Sequence, residues 1–243
     1  MDKKSRIIAH RGYWKKNGAA QNSIASLRNA GDARIFGTEF DVRITKDLVP
    51  VVHHDPEIDG LIISELSFSD LRYCRIANGE LVPSLDEYLE CAIEYPCLNL
   101  FLELKPCESA DLEDKFVKKV ISVVKNYDLM SRLEFISFSP NICGKIRCIL
   151  PDISVSLICK EMSPEKVRQT GVTGVDYEYK VLKRYPEWIG VANQLGLSVN
   201  TWVVNSGKMI RFFSELGADY ITTDYTEYIN KLTCIQVFGI DNL

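Results

Sequence analysis

A short apolar segment followed by a longer amphipathic one decides the fold, and its clearest copy, residues 99–127, reads NLFLELKPCESADLEDKFVKKVISVVKNY. The first seven residues are mostly apolar, which is typical of a strand buried on both faces of a sheet. The remainder carries apolar residues every four positions, on one face of a helix: Leu112, Phe116, Val120 and Val124. A strand followed by such a helix is the unit from which parallel sheets are built.

The same alternation continues outward in both directions. The predicted strands cover residues 7–10, 38–43, 99–105, 133–138, 153–158, 173–178, 197–204 and 219–223. The predicted helices cover residues 22–33, 84–95, 109–127, 141–149, 163–170, 186–195 and 206–216. Eight strands with this rhythm predict an α/β fold, a closed (β/α)8 TIM barrel, and an open doubly wound sheet is the competing interpretation.

One stretch, between Arg43 and Ser84, interrupts the rhythm. It contains a second extended piece at residues 49–54, a short helix at 67–75, and turns at Asp59-Gly60 and Asn78-Gly79. We therefore expect an elaborated second βα connection. In barrel enzymes these connections lie at the face where active sites are built.

Length and charge restrict the class of protein. The 243 residues carry a net charge of −4, so no basic surface for nucleic acid is expected. We expect one domain, residues 1–243, because no linker or shift in composition divides the chain. No apolar run approaches the ~18 residues of a membrane span. As given, the chain is predicted to be cytoplasmic, with a removed secretory leader and the oligomeric state left open.

The eight cysteines are expected to be free thiols. No C-x-x-C pair or zinc-finger spacing occurs, and several of the cysteines fall on apolar stripes, where a reduced cysteine packs as a small hydrophobic residue.

Carboxylates occur on two neighbouring predicted strands. Glu39 and Asp41 are two residues apart, as are Glu103 and Lys105, so each pair points to one face of its strand. Three carboxylates facing into a barrel are costly unless a cation neutralises them. Oxygen ligands suit Ca²⁺ or Mg²⁺ better than zinc. The pattern predicts one divalent cation held by Glu39, Asp41 and Glu103.

The three histidines of the chain, His10, His53 and His54, all fall at predicted strand ends beside these carboxylates. Histidine is a natural general acid or base near neutral pH. Arg11 and Lys105 add positive charge that suits a phosphate group. No G-x-G-x-x-G, phosphate-binding loop or G-x-S-x-G motif is present. The combination favours phosphoryl transfer over hydride or acyl transfer.

Taken in order, five segments resemble the glycerophosphodiester phosphodiesterases. They are HRG (10–12), EFDVRITKD (39–47), VVHHD (51–55), ELKP (103–106) and NTWVVN (200–205). Each segment is weak alone, but the ordered set is specific and spans essentially the whole chain.

The resemblance implies a (β/α)8 barrel that hydrolyses a small-molecule glycerophosphodiester to glycerol 3-phosphate and an alcohol such as choline or ethanolamine. It implies that the three carboxylates hold Ca²⁺ or Mg²⁺. It also implies that His10 and His54 are the acid/base pair, and that Arg11 and Lys105 face the phosphate. His53 occupies a variable position of the motif, so a place in or behind the pocket wall is expected for it.

The chain departs from the family pattern at four places. Ala20-Gln21-Asn22-Ser23 stands for Pro-Glu-Asn-Thr, Leu48 for a glycine, Val203 for a threonine and Tyr225 for a proline. None of these changes replaces an expected metal ligand or catalytic histidine. They therefore bear on the substrate more than on the reaction.

Five residues are predicted to line the substrate pocket: Tyr13, Trp14, His53, Glu178 and Trp202. A Trp face can hold a quaternary ammonium group, which would favour choline-type substrates. Two other functions stay open. One is a phosphodiesterase of the phospholipase C type, although no basic patch or apolar rim supports it. The other is a non-catalytic phosphodiester-binding protein, which would be expected to lose a histidine or carboxylate.

Overall fold

The computed structural model describes residues 5–226. Its strands are β1 (Arg6–Ala9), β2 (Gly37–Ile44), β3 (Pro50–Val52), β4 (Glu57–Ile58), β5 (Leu61–Ile62), β6 (Asn99–Leu104), β7 (Leu133–Ser137), β8 (Ser154–Cys159), β9 (Gly174–Glu178), β10 (Ser198–Trp202) and β11 (Tyr220–Thr223). Its helices are α1 (Ile24–Asp32), α2 (Phe68–Leu71), α3 (Leu85–Ile93), α4 (Ala110–Val124), α5 (Pro140–Ile149), α6 (Pro164–Gln169), α7 (Tyr179–Arg184), α8 (Glu187–Gln194) and α9 (Gly207–Glu215).

Within residues 5–226, eight parallel strands close into a barrel. Neighbours pair in the order β1, β2, β6, β7, β8, β9, β10 and β11, and β11 pairs back with β1. The predicted (β/α)8 barrel is confirmed. The open doubly wound sheet is wrong, because β1 has a partner on both sides and the sheet has no edge at that point.

Helix α4 illustrates how the sequence builds the layer around the barrel. Ser109 precedes it, and the Ser109 hydroxyl accepts a hydrogen bond from the amide of Leu112 at 3.2 Å, which caps the helix. The apolar face then buries Phe116, Val120 and Val124 completely. The outward side chains of the strands and the inner faces of the helices share one hydrophobic core.

The barrel interior is packed tightly at the level of Gly174. A Cβ at this position would lie 2.2 Å from Ser156 Oγ and 2.2 Å from Ser198 Oγ, so the three strands leave no room for a side chain. Ser156 donates a hydrogen bond to the buried Glu134 in the same region. The interior is therefore filled here, and the cavity described below lies nearer the carboxyl ends of the strands.

The second βα connection is elaborated, as expected. Strand β3 runs antiparallel beside β2, β4 and β5 form a hairpin that the sequence did not predict, and α2 is shorter than the predicted helix. The insertion and Ala20, from the loop after β1, form a small core separate from that of the barrel. Its insertion residues are Val51, Ile58, Ile63, Leu71, Cys74, Ile76 and Val82.

Helix α7 was not predicted; it begins at Tyr179, directly after β9, with no intervening loop. The expectation of free thiols holds for the seven cysteines that the structure describes, and Cys234 lies outside the described residues. Among residues 5–226, no helix combines the length and apolar character that crossing a bilayer requires.

Candidate active site

Three carboxylates inside the barrel lie close together on neighbouring strands. Glu39 and Asp41 belong to β2, and Glu103 belongs to β6, where it is the register partner of Asp41. One oxygen of each side chain lies within 4.8 Å of an oxygen of the other two. All three residues are at most 7% exposed. The structure thus brings together the three carboxylates that the sequence singled out.

The loop after β1 orients these carboxylates. The amide of Arg11 donates to Glu39 Oε2 at 2.9 Å. Asn22 Nδ2 donates to Asp41 Oδ2 at 2.7 Å, and Asn22 Oδ1 accepts from the amide of Asp41 at 3.1 Å. Arg11 and Asn22 both have left-handed backbone conformations, with φ of 55° and 59°. Asn22 is the asparagine retained in the altered motif after β1, and here it fixes Asp41.

Two cationic side chains lie against the same carboxylates. Lys105 Nζ lies 2.7 Å from Asp41 Oδ1 and 2.6 Å from Glu103 Oε1. Arg11 Nε lies 3.3 Å from Asp41 Oδ2. Arg11 Nη1 also donates to Gln21 Oε1 at 2.6 Å, so the amide that replaces the family's glutamate still holds this guanidinium.

The pKa values of the three carboxyl groups are pushed apart. Burial, together with the charges of Asp41 and Glu103, raises the pKa of Glu39 well above its ordinary value. Burial and the charge of Asp41 raise the pKa of Glu103 to about 7. Burial also opposes ionisation of Asp41, but Lys105 and Arg11 outweigh it and hold the pKa of Asp41 below its usual range. Two of the three carboxylates thus lack sufficient compensating positive charge.

The donor set fits a divalent cation. Glu39 Oε1 is buried and has no hydrogen-bond partner among the described residues. Such an orphaned acceptor is costly unless a ligand or ion satisfies it. The cluster offers three carboxylates and no sulfur or nitrogen ligand, which suits a hard cation such as Ca²⁺ or Mg²⁺.

His10 lies directly after β1 and faces a carboxylate. Its Nδ1 lies 2.8 Å from Asp224 Oδ1. Trp14 Nε1 donates to the same oxygen at 3.3 Å, and Asn205 Nδ2 donates to Asp224 Oδ2 at 2.7 Å. The carboxylate of Asp224 thereby orients the ring of His10 and leaves its Nε2 for other partners.

His54 belongs to the insertion and has a similar partner. Its Nδ1 lies 2.7 Å from Asp55 Oδ1. Burial lowers the pKa of His54 below its ordinary value. This favours the neutral ring, which is the form that accepts a proton. The ring of His54 lines the same cavity as His10.

A cavity of about 130 Å³ connects these groups at the carboxyl ends of the barrel strands. Its wall on one side is charged, and on the other side it is mostly apolar. The residues that line it are His10, Arg11, Glu39, His54, Glu103, Lys105, Ile136, Phe138, Ile158, Asp176, Trp202 and Thr222.

Of the five residues predicted to line the pocket, Trp202 lies in the cavity wall and the other four lie outside it. Tyr13 is buried in the core. Trp14 lies behind His10, bonded to Asp224. His53 is placed by its amide, which donates to the carbonyl of Asp41 at 3.0 Å. Glu178 ends β9, with its carboxylate 3.5 Å from Lys180 Nζ.

One buried acid in the cavity escaped the sequence analysis. Asp176 lies in β9 between two apolar neighbours, Val175 and Tyr177, and it is 2% exposed. The signal was available, since an acid inside an otherwise apolar strand is unusual. Its partner Asn200 lies on the adjacent strand, 24 residues away, and the sequence gives no sign of that contact.

Comparisons with known proteins agree with this geometry. A model of the glycerophosphoryl diester phosphodiesterase family matches residues 10–228. A relative from Bacillus subtilis, described as a putative glycerophosphodiester phosphodiesterase, is 25% identical over 93% of this chain and 96% of its own.

Solved structures share both fold and sequence with the chain. A glycerophosphodiester phosphodiesterase from Parabacteroides distasonis superimposes with a TM-score of 0.94 at 35% identity, covering 98% of this chain and 100% of its own. A phosphodiesterase from Oleispira antarctica, solved with the product sn-glycerol-3-phosphate, superimposes with a TM-score of 0.81 at 25% identity. That alignment covers 95% of this chain and 97% of the other.

Proposed function

The chain belongs to the glycerophosphoryl diester phosphodiesterase family, and on that premise we propose that it hydrolyses glycerophosphodiesters to glycerol 3-phosphate and an alcohol. The observation that carries the proposal is a single cavity lined by His10, His54, two of the clustered carboxylates and two cationic side chains. The Oleispira antarctica relative, crystallised with sn-glycerol-3-phosphate as its product, supports the identity of one product.

Glu39, Asp41 and Glu103 would hold the cofactor, one Ca²⁺ or Mg²⁺ ion. Their burial, their closeness and the orphaned Glu39 Oε1 support this assignment. When bound, such an ion supplies positive charge that stabilises the negative charge developing on the phosphate oxygens.

His10 and His54 act as the general acid and base. One ring accepts the proton of the nucleophile as the new bond to phosphorus forms, and the other gives a proton to the departing alkoxide as the old bond breaks. The nucleophile is either water or the neighbouring hydroxyl of the glycerol arm. In the second case a cyclic phosphate forms first, and water then opens it. The paired Nδ1 atoms support these roles, because each carboxylate fixes the orientation of its ring.

Arg11 and Lys105 bind the phosphate. Both side chains line the cavity beside the carboxylates, and a guanidinium and an ammonium group both bind phosphate oxygens well. The rings of Trp202 and Phe138 meet edge-on, with their centroids 5.8 Å apart. Together they form an apolar wall for an arm of the diester.

The test is release of glycerol 3-phosphate from glycerophosphocholine and glycerophosphoethanolamine with Ca²⁺, Mg²⁺ or EDTA. We expect release that EDTA abolishes. Glu39→Gln should lower activity at least about 100-fold at limiting metal, with partial recovery in excess metal. Glu134→Gln is the matched control, since Glu134 is a buried barrel acid that does not line the cavity.

Two results would contradict the proposal. Metal binding without release from either diester would favour a phosphodiester-binding protein. Release from membrane phospholipids but not from soluble diesters would favour the phospholipase C type of activity.

A further inference from the structure

Asp176 has one carboxylate oxygen satisfied and the other free. Asn200 Nδ2 donates to Asp176 Oδ2 at 2.9 Å. Asp176 Oδ1 is buried and has no hydrogen-bond partner among the described residues. The residue lines the cavity, yet none of the roles assigned above uses it. A buried acceptor left unpaired is costly, so this oxygen is a candidate contact for a bound molecule.

The position of Asp176 places it on the floor of the cavity. Six lining residues lie within their strands: Glu39, Glu103, Ile136, Ile158, Asp176 and Thr222. The other six lie at or beyond the strand ends, nearer the mouth: His10, Arg11, His54, Lys105, Phe138 and Trp202. A group that reaches Asp176 must therefore pass between the histidines and Trp202 and enter the barrel.

Glu39 and Glu103 belong to the carboxylate cluster described above, and the remaining polar side chain of the floor, that of Thr222, is already hydrogen-bonded. Thr222 Oγ1 donates to Asn200 Oδ1 at 3.2 Å and accepts from Asn200 Nδ2 at 3.0 Å. Asn200 Oδ1 also accepts from the amide of Thr201 at 2.9 Å. Outside the carboxylate cluster, Asp176 Oδ1 is thus the side-chain polar atom of the described floor that is left to contact a ligand. Ile136 and Ile158 contribute apolar surface to the same cavity.

A hydroxyl group suits this oxygen better than a cation. Burial raises the pKa of Asp176 well above its ordinary value, and the nearby Glu134 and Glu103 act in the same direction. A neutral carboxyl both donates to and accepts from a hydroxyl. A quaternary ammonium would need the ionised form, and the Trp202 face nearer the mouth suits such a group better.

We propose that Asp176 is a specificity-determining residue whose free oxygen binds the terminal hydroxyl of the glycerol arm, so that the glycerol arm enters the barrel and the alcohol arm stays near Trp202. This inference rests on the proposed function. The terminal hydroxyl is the one farthest from phosphorus, and it is therefore the one that reaches the floor while the phosphate contacts Arg11 and Lys105.

The test compares two diesters that release the same alcohol. Glycerophosphocholine has the terminal hydroxyl. In 2-hydroxypropyl phosphocholine the terminal hydroxyl is absent, and the hydroxyl on the middle carbon of the arm is retained. Choline release measures both reactions. We expect the wild type to prefer glycerophosphocholine by about 10- to 100-fold in kcat/KM. Asp176→Leu should bring the two rates within about threefold of each other, mainly by slowing glycerophosphocholine hydrolysis.

Two further variants separate recognition from structure. Asp176→Asn retains a hydrogen-bonding group of the same shape and should keep most of the preference. Glu113→Leu removes a buried acid of α4 that bonds to Ser139 and Asn141 outside the cavity wall, and it should leave the ratio of the two rates unchanged. Because the readout is a ratio, a general loss of folded protein does not mimic the expected result.

The outcomes are distinguishable. Equal wild-type rates on the two diesters would overturn the inference and leave the proposed function standing. An equal loss on both diesters in Asp176→Leu, or a change of the ratio in Glu113→Leu, would show that Asp176 is only structural. No choline release from either diester by the wild type would overturn the proposed function, and the inference with it.

Discussion

The two histidines of the cavity have nearly identical contacts in very different surroundings. Nδ1 of His10 lies 2.8 Å from a carboxylate oxygen of Asp224. Nδ1 of His54 lies 2.7 Å from a carboxylate oxygen of Asp55. The first pair joins the ends of neighbouring barrel strands, and both of its side chains are 16% exposed. The second pair joins consecutive residues of the insertion, with side chains 37% and 66% exposed.

The difference teaches that a contact distance does not set the energy of a pair. Trp14 and Asn205 fix Asp224. Burial opposes ionisation of Asp224, but hydrogen bonds from His10 and Asn205 outweigh it and lower its pKa to about 2. Asp55 is largely in water, where a pair at the same distance contributes about 0–1 kcal/mol. We therefore expect Asp224 to matter much more than Asp55.

The largest effect on activity is expected when either histidine is replaced, and it should be similar for the two histidines. His10→Ala and His54→Ala should each lower kcat by about 10²- to 10⁴-fold, because each ring supplies one proton transfer. His53→Ala is the matched control, since His53 is adjacent in sequence but does not line the cavity, and its activity should stay near that of the wild type. Steady-state kinetics at saturating metal measures all three. Retention of most activity in either of the first two variants would contradict the assignment.

A smaller effect tests the comparison itself. Asp224→Asn should lower kcat by about 10- to 100-fold, since a partly buried, charge-assisted hydrogen bond that orients His10 is lost. Asp55→Asn should lower it by less than about fivefold, because water replaces an exposed carboxylate. Similar losses in the two variants would show that burial does not separate the pairs.

The smallest effect concerns stability and pH. The pKa of folded Asp224, about 2, lies below the value of ~3.9 for an unfolded aspartate. Its carboxylate therefore stabilises the fold fully above pH ~4, and this contribution is lost as the pH falls through about 2. Asp224→Asn should be less stable than the wild type at pH 5–7, and the difference should shrink towards pH 2. Urea unfolding at several pH values measures this, and a difference that grows on acidification would contradict it.

Much of the barrel and its charged wall was predictable because their signals are local. Most barrel strands are followed by a helix before the next barrel strand. Glu39 and Asp41 occupy positions i and i+2 of one strand, so their common orientation follows from the alternation of side chains. His10, His54, Arg11 and Lys105 lie next to strand ends, and all four side chains line the cavity.

The rest depends on contacts between segments that are distant in the chain. His10 meets Asp224 across 214 residues, and Asp176 meets Asn200 across 24. Closure of the barrel makes these residues neighbours, and no local pattern encodes it. Helix α7 and the β4–β5 hairpin were missed for another reason: α7 begins at Tyr179, directly after β9, and each strand of the hairpin has two residues.

The separate core of the insertion has a consequence for how the protein opens. His54 follows β3, whose Val51 packs in that small core, whereas Glu39, Asp41 and Glu103 lie on the barrel strands β2 and β6. Segments with few shared contacts can unfold locally while the remainder stays folded. Opening of the insertion would move His54 away from the cavity, while Glu39, Asp41 and Glu103 would stay together on the barrel strands. Native-state hydrogen exchange would then show the insertion exchanging ahead of the barrel strands, and inactivation on mild heating would precede global unfolding.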